Sequence, residues 1–175
     1  MSTLKVNSII PVSGVPTGGG GGIVQVKHTT KSDTFTHAAS SSFGDITGLS
    51  VDITPTSNTS KILIMLCVQF SSGGSGGSRV QFRLVRDSTA IAIGDEAGSR
   101  LRVSGGSETS GGGGNMKSAT INFLDSPNTT SAVTYKVQAV APDGNGFQLN
   151  KSVSDTNSTS YHRTASHITV MEVSA

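Results

Sequence analysis

The sequence predicts an all-β protein, an antiparallel β-sandwich of the jelly-roll kind, on three observations. Apolar residues recur with period two in segment after segment. Clusters of Gly, Ser, Asn and Pro separate these segments at near-regular spacing, as in sandwiches and barrels. The polarity is that of hydroxyls and amides: 28 Ser, 20 Thr and 22 Gly occur among 175 residues, while only 14% are Asp, Glu, Lys or Arg, against about 25% in ordinary soluble domains. Ser and Thr compete with helical backbone bonds and suit strands and turns.

The chain opens with MSTLKVNSIIPVSGVPTGGGGG. Leu4, Val6, Ile9, Ile10 and Val12 are too apolar for a plain disordered tail and too few for a core. A strand that adds to a partner's sheet suits them. The glycines at 18–22 match neither G-x-x-x-x-G-K-[ST] nor G-x-G-x-x-G, and a strand rather than a helix follows. A flexible tether is the better reading. The organisation is therefore an attachment peptide and linker over 1–22 and a β-sandwich domain over 23–175.

The strands follow in order. Val24, Val26 and His28 alternate with Gln25 and Lys27; Leu49, Val51 and Ile53 alternate with Ser50 and Asp52. Val80, Phe82 and Leu84 alternate with Gln81 and Arg83. Ile121 and Phe123 flank Asn122, and Val133, Tyr135, Val137 and Ala139 define a further segment. HITVMEVSA closes the chain. Turn clusters lie between, at 54–60, 71–78, 104–115, 125–131 and 142–146. The stretch GGSETSGGGG at 105–114 has no apolar anchor, which predicts a mobile, exposed loop.

One segment breaks the alternation. In KILIMLCVQF, residues 61–70, Ile62, Ile64, Leu66, Val68 and Phe70 share one face, yet Leu63, Met65 and Cys67 on the other are apolar too. A strand with one solvated face alternates cleanly. The second face needs cover, from a loop of the same chain or, the simpler source, from a neighbouring subunit. Leu63, Met65 and Cys67 are thus candidate interface residues.

Catalytic and metal motifs are weak. Gly73, Gly74, Ser75, Gly76 and Gly77 fit G-x-S-x-G, but a nucleophile elbow needs a following helix and RVQFRLVR reads as a strand. His28, His37, His162 and His167 form neither H-x-H nor H-E-x-x-H. Asp95 and Glu96 supply too few oxygens for calcium. Asp45 and Asp52 are not placed to face each other as a glycosidase pair. The sequence thus predicts no enzyme, no metal and no cofactor. Sequons at Asn58, Asn128, Asn150 and Asn157 follow from composition. Tyr161, His162 and Arg163 place an aromatic and an Arg together, the usual anchors of a recognition surface; the plainer alternative is a solvated strand end.

A net charge of +2 does not call for nucleic acid. No run approaches the apolar length of a membrane helix. The N-terminus lacks a long apolar core and a clear cleavage site, which predicts no signal peptide. Cys67, the single cysteine, predicts a buried thiol rather than a disulfide.

The phrases MSTLKVNSI, ITGLSVDITPTSNTSKILIM, FRLVRDSTAIAIGDEAGSR and ITVMEV resemble small structural appendage proteins of tailed bacteriophages, those of cyanobacterial and marine phages above all. The resemblance covers almost the whole chain. It implies a virion protein, a tail fibre or a fibre or decoration on the capsid, with the N-terminal peptide bound to the particle and a β-rich head. It also implies a homo-oligomer, commonly a trimer. In such a protein Leu4, Val6, Ile9 and Ile10 would attach to other virion proteins. Tyr161, His162 and Arg163 would be candidates for contact with host cell-surface glycan. Other readings are a free lectin-like module, disfavoured by the lack of Trp, and a polysaccharide hydrolase, which lacks a carboxylate pair.

Overall fold

The computed structural model describes residues 22–143 and 145–174 and contains strands and turns without a helix among them. The strands are β1 (Ile23–Lys31), β2 (Phe35–His37), β3 (Ser40–Ile53), β4 (Lys61–Ser72), β5 (Ser78–Arg86), β6 (Thr89–Ile91), β7 (Gly105–Thr109), β8 (Lys117–Asp125), β9 (Val133–Ala141), β10 (Phe147–Leu149) and β11 (Ser166–Val173). Each period-two segment of the sequence became one of the longer strands. The short strands β2, β6, β7 and β10 have no period to read.

The strands form two antiparallel sheets. In sheet A the path is β1, β11, β4, with β8 on the far side of β4. β10 pairs the distal end of β4 on the β11 side, and β2 pairs β10. β10 and β11 are thus two parts of one interrupted strand, and so are β1 and β2. Sheet B runs β3, β9, β5, with β6 and β7 sharing the free side of β5. Four strand positions face four, the jelly-roll arrangement.

The core lies between the sheets. Ile62, Ile64, Leu66, Val68 and Phe70 of β4 face Val80, Phe82 and Leu84 of β5 and Val133, Tyr135 and Val137 of β9, all buried. The rings of Phe70 and Phe82 meet edge-on at 4.9 Å. Burying each such side chain contributes about 1.5–3 kcal/mol.

Registers give the sandwich two distinct ends. Lys61 lies opposite Val173, and Val173 opposite Ile23. The chain therefore enters at the end that also holds residues 54–60 and 126–132. Gly22 is joined to Ser174 there by bonds of 3.0 Å. At the opposite end lie 73–77, 110–116, 142–143, 145–146 and the long excursion 151–165.

The expected mobile loop at 105–114 is corrected. Residues 105–109 form β7, in register with Ser78–Phe82 of β5, and Thr109 is 2% exposed. Glycine is there for approach rather than freedom: a Cβ on Gly106 would sit 2.6 Å from the Val80 carbonyl oxygen. Gly77, at φ 77°, would meet the Thr109 oxygen at 2.5 Å.

Three buried polar groups hold the frame. Asn150, fully buried at φ 60°, donates its carboxamide to the carbonyls of Lys31 and Asp33 at 2.8 and 2.9 Å. It accepts from the Ser166 hydroxyl at 2.7 Å. Its burial removes it as a glycan acceptor. Asp125 on β8 crosses to sheet B: Arg86 donates to its two oxygens at 2.9 and 2.8 Å and the Tyr135 hydroxyl at 2.7 Å. Burial, then the bond to Asp125, push the Tyr135 hydroxyl far above its ordinary pKa.

Glu172, fully buried on β11, accepts from the Thr56 amide and hydroxyl at 2.7 Å each and from Gln25 at 2.6 Å. Desolvation opposes its charge, but bonds from Gln25, Ser60 and Thr56 outweigh it and hold its pKa below the ordinary 4.5. The carboxylate therefore stabilises the fold fully above that pH, and the contribution is lost as the pH falls through the lower folded value. Glu172→Gln should lower stability at neutral pH and make the fall in urea midpoint below pH 4.5 shallower. An equal slope in both proteins would refute this source. Asn150→Ala should cost about 3–4 kcal/mol, from orphaned carbonyls and left-handed strain. A melting temperature within about 3 °C of the parent would contradict it.

Candidate functional site

The outer face of sheet A is the most distinctive surface of the domain. Residues paired across antiparallel strands stand side by side on one face, with Cβ atoms about 5 Å apart. The register places Val26 opposite Met171, Met171 opposite Leu63, and Leu63 opposite Leu124. An unbroken apolar row thus crosses four strands. Val26 is 51% exposed and Leu124 54%. In the next row Met65, 41% exposed, lies between Thr169 and Asn122. Cys67 follows, half-buried, between His167 and Thr120.

The two-faced pattern of 61–70 therefore resolves into a buried inner face and an outer face open to solvent. Among the described residues no loop of the chain covers Leu63, Met65 and Cys67, so the expected buried thiol is half-exposed. Sequence reasoning found these three and missed Val26, Met171 and Leu124. Each of those looks like an ordinary strand residue until cross-strand register aligns it.

The outer face changes character toward the loop end. His28 bonds the Thr169 and Thr30 hydroxyls, both at 2.7 Å, and its ring lies 5.8 Å from that of His167. The apolar row therefore occupies the end where the N-terminal segment enters. Leu4, Val6, Ile9 and Ile10 lie outside the described residues.

Tyr161, His162 and Arg163 do come together. With residues 155–158 they line one hollow of about 330 Å³ at the loop end. The Arg163 fork, however, is engaged by Asp155 at 2.7 and 2.6 Å. This pair is exposed and contributes at most about 1 kcal/mol, but it fixes the loop's shape and leaves Arg163 less free for a ligand. Tyr161 lies close to Gly113, where a Cβ would stand 3.2 Å from the ring. The Ser154 amide bonds the Gly113 carbonyl at 2.9 Å.

Ser75 lies in the connection between β4 and β5, with no helix behind it. Among the described residues no group of three or more His, Cys, Asp or Glu side chains is placed to hold a metal ion.

No protein-family model and no curated protein matches the chain. Among solved structures it is similar to chains of infectious bursal disease virus. For the Gx strain, identity is 16% and the TM-score 0.44 over 94% of this chain and 45% of the other. For the Gt strain the values are 13%, 0.46, 94% and 46%. It is also similar to the CBM22-1 xylan-binding domain of Paenibacillus barcinonensis Xyn10C, at 10% identity and a TM-score of 0.36, over 89% of this chain and 97% of that domain. The chain spans a little under half the length of the bursal disease virus chains. The functional reading rests on the chain's own residues.

Met65→Lys should separate folding from association. The ammonium is solvated in a lone domain, where Met65 is already 41% exposed, but would be desolvated in an interface at several kcal/mol. Light scattering should show the parent above its 17.8 kDa chain mass and the variant at it, with thermal unfolding of the dilute domain nearly unchanged. An unchanged assembled mass would remove Met65 from the interface.

Proposed function

We propose that the chain is a non-enzymatic structural protein of a virion, a tail fibre of a tailed phage whose β-sandwich head contacts the host surface. The observation that carries this reading is the apolar row Val26, Met171, Leu63 and Leu124 on the outer face of a domain whose core is already complete. A monomeric enzyme or soluble carrier gains nothing from such a face. An assembling protein uses it to bury area between copies. A homotrimer built on Leu63, Met65 and Cys67 is the arrangement proposed, in keeping with the sequence resemblance.

The polarity of the domain supports the same reading. The N-terminal segment enters at one end and the long loops gather at the other. A head tethered through Leu4, Val6, Ile9 and Ile10 would turn 151–165, with Tyr161 and His162, away from the particle. Ser75, the one residue in a catalytic-type motif, sits in a strand connection without the helix an elbow requires.

The test uses particles lacking the protein. The full chain should be incorporated, and residues 23–175 should fold and associate but stay in solution. Labelled full chain imaged on particles should appear at the tail; label on the capsid would make it a head decoration. Equal incorporation of both lengths would refute attachment through the N-terminal peptide.

A further inference from the structure

Sheet B carries a groove that the assembly reading does not use. Its floor is formed by β5 and β7 and its wall by residues 100–104, and it encloses about 540 Å³, within the size range of small-ligand sites. Arg79 lies opposite Glu108 on the floor, and Gln81 opposite Gly106. The glycine, imposed by the approach of the β5 backbone, leaves the position beside Gln81 without a side chain.

The groups lining this groove are underused. The Gln81 Oε1 atom is enclosed and accepts no hydrogen bond from the described residues, an arrangement that costs roughly 1–3 kcal/mol until a donor arrives. The Arg79 guanidinium is 3.5 Å from Asp143. Arg100 makes one long bond, 3.5 Å, to the Ala97 carbonyl. A guanidinium has five N–H donors, so both retain free capacity. Leu101, 41% exposed, and Val103 supply apolar surface.

We propose that this groove binds an acidic saccharide. A carboxylate or sulfate would take the donors of Arg79 and Arg100. Ring hydroxyls would donate to Gln81 Oε1 and to Glu108, and a C–H face would lie on Leu101 and Val103. The lining holds two guanidinium groups and one carboxylate, with Asp143 beside Arg79 as a second, which suits a ligand with no more than one negative charge per unit. It repels a densely charged polyanion through Glu108. No lining side chain is aromatic, so a nucleobase would find nothing to stack on.

Calorimetric titration of the full chain tests this with four probes: an oligogalacturonate, a κ-carrageenan oligosaccharide, a neutral oligogalactan and an oligoglutamate. One or both acidic saccharides should bind, the stronger showing whether carboxylate or sulfate is preferred. Neither control should bind. Arg100→Ala, on an exposed segment, should weaken binding about tenfold or more, and Gln81→Leu should weaken it with the fold intact. Met65→Lys should leave it unchanged, so the groove stands or falls apart from the assembly face. Failure of both acidic probes, indifference to Arg100→Ala, equal binding of the neutral sugar, or oligoglutamate binding as tight as the saccharides would overturn the assignment.

Discussion

Sheet A depends on one carboxamide. Where β1 gives way to β2, and β10 to β11, the ladder breaks just past the Lys31–Ser166 pair, beside the carbonyls of Lys31 and Asp33. Asn150 supplies both donors from a fully buried position. Its own amide bonds the Gln69 carbonyl of β4 at 2.9 Å, and Ser166 Oγ accepts the Gln69 amide at 2.9 Å while donating to Asn150. Three strand positions are thereby locked at one point. Aspartate could not substitute, because an ionised carboxylate has no donors and would be charged without solvent. The left-handed backbone that Asn tolerates also turns the chain out of the sheet, and residues 151–165 exist as an excursion because the strand is pinned on both sides of them.

The charged side chains are few, and two of the three that are buried, Glu172 and Asp125, sit near the end where the chain enters, Lys31 lying at the other end of β1. Glu172 ties residues 54–56 and Gln25 to β11, and Asp125 ties β8 across to β5 and β9. Each accepts several hydrogen bonds, which is what lets a carboxylate lie out of water. The opposite end is built from Ser and Gly turns joined by main-chain bonds, such as Gly73 to Gly146 at 3.1 Å. The end where the chain enters is stiffened by buried carboxylates and the far end is shaped by loops. That division gives the domain a fixed base and a loop-built tip.

Much of the architecture was legible because strands with one buried face announce themselves by period two, and the longer strands did so. β7 was not legible. Its glycines read as slack, whereas Gly106 is demanded by a carbonyl 2.6 Å from where a Cβ would be; composition cannot separate a glycine chosen for freedom from one chosen for approach. Asn150 looked like a chance sequon, and nothing local marks it as the lock of a sheet. The outer apolar row was half legible. Leu63, Met65 and Cys67 stood out within one strand, while Val26, Met171 and Leu124 join them only through register. The grouping of Tyr161, His162 and Arg163 was readable, but the Asp155 partner that occupies the arginine was not.

The two outer faces of the sandwich solve the problem of exposure differently. On sheet B, Arg83 lies 4.0 Å over the Phe43 ring and bonds Gln138, which bonds Asp45, which is also held by Lys136. That part of the face, over β3 and β9, is a satisfied polar network, unlike the groove on β5 and β7 beside it. On sheet A, equivalent positions one row away carry His28, Thr169 and Asn122 beside Met65, so the backbone there accepts polar residues without difficulty. Nothing about strand geometry obliges 26, 63, 124 and 171 to be apolar together. Because the inner face of β4 already secures the fold, these outer side chains add little to the stability of a lone domain. The proposed interface, a surface that closes over them, would account for their apolar character.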